Sequence, residues 1–90
     1  MSITFNYFIG EESYSETFNG VDDFKAWKNE NGEEITSGEV IGVADKDTDE
    51  MFLGMQELTT LDVSKFDTSR STNMSKMFGL PNLVSLVLGG

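Results

Sequence analysis

Two stretches of this chain repeat each other, and that repetition limits the folds available to it more than any other feature. Met51-Phe52 recurs as Met77-Phe78, a step of 26 residues, and Leu58-x-x-Leu61-x-Val63 recurs as Leu83-x-x-Leu86-x-Leu88, a step of 25. The one-residue difference falls where Gly54-Met55-Gln56-Glu57 is matched by Leu80-Pro81-Asn82, and an insertion is cheapest in such a turn. An L-x-x-L-x-L spacing within a period of about 25 residues is that of leucine-rich solenoids. Each L-x-L forms a short strand with alternate residues inward, and an earlier Leu fills the layer beneath. Phe66 then acts as an aromatic plug, and Asp67-Thr68-Ser69 supplies turn-forming polar residues. Thr72-Asn73 and Thr48-Asp49 are candidate N-caps for short helical turns over 74–78 and 50–53.

Charge marks a boundary near residue 50. Residues 1–50 hold thirteen acids and three lysines, whereas 51–90 balance Glu57, Asp62 and Asp67 against Lys65, Arg70 and Lys76. The whole formal charge of −10 therefore lies in the first half, and leucine is concentrated in the second. The chain divides into an acidic N-terminal cap (1–50) and a leucine-rich segment (51–90) that share a single core.

Within the acidic half, Ile3, Phe5, Tyr7 and Ile9 alternate with other residues and read as a half-buried strand, and 13–18 return as a second. Val21, Phe24 and Trp27 recur every three residues after Asn19-Gly20. Acids stand in the first turn, and Asn31-Gly32 follows, so an amphipathic helix is expected over about 21–30, with Trp27 in the core. Ile35 and 40–43 suggest one or two further short strands. The expected fold class is α+β: a leucine-rich solenoid of one to two repeats, closed by a β-β-α-β cap that covers its otherwise exposed first layer.

Leu61-Asp62-Val63-Ser64-Lys65-Phe66-Asp67-Thr68-Ser69, followed by Thr72-Asn73-Met74-Ser75-Lys76-Met77-Phe78, resembles the repeat of the BspA-like leucine-rich repeat family of bacterial surfaces, phages and protists. The match spans about 51–88. Ser71 stands where that family usually has Val, and Met55 stands near its usual Cys. The resemblance implies adhesion or protein binding without catalysis. It transfers no functional residue, because the motif is a packing motif.

Composition excludes several chemistries. With no His and no Cys there is no Ser-His-Asp or Cys-His catalytic arrangement, zinc knuckle, disulfide or thiol redox centre. A net charge of −10 argues against binding the phosphate backbone of nucleic acid. No apolar run approaches ~18 residues, so no membrane insertion is expected. Asp45, Asp47 and Asp49 alternate as in a calcium loop. An EF-hand would also need Gly at the sixth position and Glu at the twelfth, where Glu50 and Gln56 stand, so a solvated acidic turn is the reading, with weak calcium binding left open. The adjacent pairs Glu11/Glu12, Asp22/Asp23 and Glu33/Glu34 do not read as glycosidase acids, which must face each other across a cleft at ~5–10 Å. They read as an acidic docking face or as a device for solubility.

The last strand, with Leu83, Val84, Leu86, Val87 and Leu88, is followed by no Phe-Asp-Thr-Ser turn and no polar cap, so it is a candidate docking edge. Three functional expectations follow. The first is a non-enzymatic structural subunit, without cofactor, docking on a protein partner or on itself within an assembly such as a virion. The second is a short member or fragment of a surface adhesin. The third is an acidic protein occupying a basic site as a nucleic-acid mimic. No leader-like start is visible at Met1-Ser-Ile-Thr-Phe, which is consistent with cytoplasmic synthesis.

Overall fold

A computed structural model describes residues 2–88. The elements are β1 (Ile3–Ile9), β2 (Glu12–Phe18), α1 (Val21–Asn31), a single 3-10 turn (Gly32–Glu34), β3 (Ser37–Val43), β4 (Thr60–Asp67) and β5 (Ser85–Val87). The five strands form one sheet in the order β2-β1-β3-β4-β5. β1 pairs antiparallel with β2 and with β3, whereas β3–β4 and β4–β5 are parallel.

This arrangement corrects the expected solenoid. The first half does follow the order β-β-α-β, but its strands join the same mixed sheet as β4 and β5 and do not lie across the end of a stack. The physical reason is that residues 51–88 own no separate core. Met51, Phe52, Met55, Leu58, Leu61 and Met77 bury in one cluster with Ile3, Phe5, Phe24 and Ile35. The repeated wording survives only locally. Glu50 and Lys76, each just before a Met-Phe pair, both adopt a left-handed backbone (φ 54° and 57°), and the segments that follow are hydrogen-bonded turns, not helices.

The hairpin turns at Gly10, whose φ of 62° suits a residue without a Cβ. β1 then buries Ile3, Phe5 and Tyr7 and turns Thr4, Asn6 and Phe8 to the opposite face. Gly38 of β3, paired with Tyr7 of β1, leaves room for the buried Phe5 ring: a Cβ there would stand 2.4 Å from it and force it to move. β4 contains one more residue than β3 between the pairs Glu39–Asp62 and Ile41–Lys65, which is a bulge. Asp62 stabilises it, its Oδ1 accepting hydrogen bonds from Ser64 N–H (2.9 Å) and from the Ser64 hydroxyl (2.7 Å). The bulge shifts the alternation by one, so Leu61, Val63 and Phe66 all bury. Phe66 is thus part of the strand and not a plug beyond it.

α1 packs on the buried face of the sheet. Trp27 is half-buried, with its ring centroid 5.2 Å from Tyr7 and 5.3 Å from Phe18. Lys28 lies on the buried side of the helix at 6% exposure. Its ammonium donates to the carbonyl of Glu50 (3.2 Å) and to that of Leu53, two groups in the turn-rich connection between β3 and β4. Burial lowers the Lys28 pKa from its ordinary value, and the nearby Glu50 carboxylate partly restores it.

Substituting Lys28→Met removes the ammonium from both carbonyls; the Glu50 carbonyl keeps its bond from Leu53 N–H (3.1 Å) while the Leu53 carbonyl loses its donor, which should lower unfolding stability by about 1–2 kcal/mol, read from the urea midpoint. Lys46→Met, which loses only an exposed ion pair, should change it by less than about 0.5 kcal/mol.

Candidate functional site

The sheet has two edges of opposite character. On the β2 edge every residue from Glu12 to Thr17 is exposed, and Glu12 and Glu16 place charge along it, a common device against unwanted strand pairing. At the other edge, β5 has three residues where β4 has eight, and it pairs only with Thr60, Leu61 and Asp62. Beyond that point β4 has no strand on its outer side among the described residues.

A groove of about 720 Å³ lies along this uncovered half of β4. Its lining is mixed: Val63 and Phe66 from β4, Met74, Met77 and Phe78 from the segment that precedes β5 and Leu88 just past β5 are apolar, whereas Ser64, Lys65 and Asp67 of β4 and Thr68 and Ser69 beyond it are polar. Met77 is buried and anchors the floor, and Phe78 stacks on Phe52 at 6.1 Å. Met74 and Leu88 are 44% and 60% exposed. Exposed apolar side chains beside an unpaired strand backbone form a surface to which an extended peptide can add as another strand.

Only part of the predicted docking strand contributes. Leu83 and Leu86 pack against the core, Val84 and Val87 are exposed, and Leu88 alone of the five lines the groove. The sequence reading missed Met74 and gave Phe66, Met77 and Phe78 only a packing role. A signal existed in the mismatch between the three-residue strand after Leu83 and the eight-residue strand it must cover, but it required knowing that the two pair.

The predicted acidic face is divided. Glu11 and Glu12 occupy the hairpin tip, where Glu12 accepts a 2.7 Å hydrogen bond from the Tyr14 hydroxyl. Asp22 and Asp23 stand in the first turn of α1, with Asp22 2.8 Å from the Lys46 ammonium. Glu33 and Glu34 lie beyond the other end of that helix and line a second cleft, of about 540 Å³, with Glu30 and Glu57.

The alternating aspartates serve three different places. Asp45 Oδ1 accepts from Val21 N–H at 2.9 Å and so caps α1, whose own cap position, Gly20, offers no side chain. A Cβ on Gly20 would lie 2.7 Å from the Asp45 carboxylate, so only glycine fits beside that remote cap. Asp47 Oδ1 accepts from Thr72 N–H (2.7 Å), Thr72 Oγ1 (3.1 Å) and Asn73 N–H (3.2 Å), tying the first connection to the second. Asp49 pairs with Lys25 at 3.2 Å. Among the described residues no group of three or more acidic side chains is arranged to hold a metal ion.

These bonds favour the ionised carboxylates. The Asp45 pKa is lowered chiefly by the Val21 N–H, that of Asp47 by the Thr72 N–H, that of Asp62 by the Ser64 hydroxyl and that of Asp67 by the Ser69 N–H. No helix of the described residues is long and apolar enough to cross a membrane. Searches against protein-family models, curated proteins and solved structures found no match to this chain.

Because those four groups bind protons less readily when folded, their stabilisation is complete above the unfolded carboxylate range near pH 4. It falls away as pH drops through their lower folded values. Thermal melts should show stability declining below about pH 4.5, with a shallower decline in Asp47→Asn. Millimolar calcium should leave the wild-type melting temperature unchanged.

Proposed function

We propose that this chain is a non-enzymatic protein-interaction module that receives an extended segment of a partner protein along the open half of β4. The observation that carries the reading is the coincidence of an unpaired strand edge with a groove to which Phe66, Met74, Met77, Phe78 and Leu88 contribute apolar surface. The backbone edge supplies hydrogen bonds that any extended peptide can satisfy, and Phe66, Met77 and Phe78 supply a floor for alternate side chains.

Charge selects the occupant. Two copies of the chain would bring together −10 and −10, so self-association is electrostatically opposed, whereas a neutral-to-basic segment is drawn in by the field. The partner segment is therefore extended, apolar at every second position and basic between. The protein-binding role implied by the BspA-like wording of residues 61–78 points in the same direction. Incorporation in a virion and attachment to a surface are two settings in which such a module would serve, and the groove is compatible with either.

A synthetic ten-residue peptide alternating Val and Lys provides the test. Amide hydrogen exchange should slow at Ser64–Asp67 on its addition, and Leu88→Asp with Met74→Asp should weaken binding at least about tenfold without changing the fold. A peptide with Glu in place of Lys should bind more weakly. Protection appearing on β2, or equal binding by the double variant, would remove the groove from consideration.

A further inference from the structure

Two asparagine–glycine pairs stand at the two ends of α1, Asn19-Gly20 before its first residue and Asn31-Gly32 at its last. Asparagine is thermolabile, and a following glycine, without a Cβ, lets its own backbone nitrogen approach the asparagine side chain. The chain therefore carries the same reactive dipeptide twice, and the fold holds the two copies differently.

At the C-terminal end of the helix both reacting groups are restrained. The Gly32 N–H donates to the Lys28 carbonyl and closes the last turn, and Gly32 is buried. The Asn31 side-chain amide donates to the Trp27 carbonyl at 2.9 Å, which ties it to the preceding turn. Reaction there requires both bonds to open first. At the N-terminal end neither restraint exists. Asn19 is exposed, and among the described residues neither its side chain nor the Gly20 N–H makes a hydrogen bond. Gly20 is fully extended (φ −178°) and lies outside the helix, which begins at Val21.

We infer that Asn19 is a site of spontaneous covalent modification, converting to aspartate and isoaspartate in the folded protein while Asn31 is preserved. The Gly20 nitrogen loses its proton to solvent and bonds to the side-chain carbonyl carbon of Asn19, and the side-chain nitrogen leaves as ammonia. Water then opens the cyclic imide at either carbonyl, so the sum is one amide hydrolysed, with water the only reagent consumed. Opening at the main-chain carbonyl leaves an isoaspartyl link, in which the backbone runs through the former side chain and is longer by a methylene. Either product adds a negative charge next to Gly20. The longer link also displaces Gly20, which has little room to move: a Cβ there would stand 2.7 Å from the Asp45 carboxylate. Modification of Asn19 thus acts on the remote cap that Asp45 makes with the Val21 N–H.

The test is to age the purified protein in mildly alkaline buffer, folded and in urea, and to follow both asparagines by peptide mass spectrometry. In the folded protein Asn19 should convert at least about tenfold faster than Asn31, because only Asn31 waits on local opening. In urea the two should convert at comparable rates. Conversion of folded Asn19 no faster than that of Asn31 would overturn the inference, and so would a tenfold bias that persists in urea, which would belong to the local sequence alone. The isoaspartyl form, separated by ion exchange, should melt below Asn19→Asp, which carries the same charge on a backbone of normal length. Equal melting of the two would remove the coupling to the cap.

Discussion

The fold depends on one buried ammonium. Between β3 and β4 the chain runs through a series of turns that cannot pair their own carbonyls in a regular ladder, yet this segment carries Met51, Phe52, Met55 and Leu58 into the core. Lys28, reaching across from α1, donates to the Leu53 carbonyl and to the Glu50 carbonyl, which also accepts from Leu53 N–H. The helix is fixed in return, since Asp45 of the same segment caps its first turn. Helix and connection thus hold each other, and the sheet is sealed on the face they share. The burial that depresses the Lys28 pKa is the cost of this device, offset by its two carbonyl bonds and by the nearby Glu50 carboxylate.

With one face closed in this way, surface chemistry is left to the opposite face, where Thr4, Asn6 and Phe8 stand, and to the edges and ends of the sheet. The two edges diverge. β2 is long and exposed and carries Glu12 and Glu16, whereas the uncovered half of β4 sets Phe66 among Ser64, Lys65 and Asp67 and is walled by a turn that ends in Phe78. The acidic residues diverge as well. Asp45, Asp47, Asp49 and Asp62 are engaged in capping, tying and pairing within the chain, while Glu30, Glu33, Glu34 and Glu57 remain open to solvent around Tyr7. A net charge of −10 therefore includes carboxylates engaged within the chain as well as carboxylates left to solvent.

Local pattern revealed much of this and tertiary pairing concealed the rest. Val21, Phe24 and Trp27 identify α1 because their three-residue recurrence is a property of the helix itself. The alternation of Ile3, Phe5 and Tyr7 identifies β1 for the same reason. The helix cap was invisible because its donor and acceptor lie 24 residues apart. Phe66 was placed outside its strand because nothing local announces that Asp62 and Ser64 form a bulge. The solenoid expectation failed through the same limitation: two copies of a packing motif specify similar turns, but whether those turns stack or close onto an antiparallel hairpin is decided by contacts with Phe5, Phe24 and Ile35. The expected docking edge lay on the last strand, but of its five apolar residues only Leu88 lines the groove, whose floor comes from residues whose exposure depends on β5 being shorter than β4.

The account stands on β4 being paired along one half and open along the other. Native-state hydrogen exchange of the isolated protein tests this directly. It predicts slow exchange for β1 and β3, which are flanked on both sides, and for the first residues of β4. Exchange should be fast at those amides between Ser64 and Asp67 that point away from β3. Uniform protection along the whole of β4 in the protein alone would contradict it, because the edge assigned to a partner would already be covered.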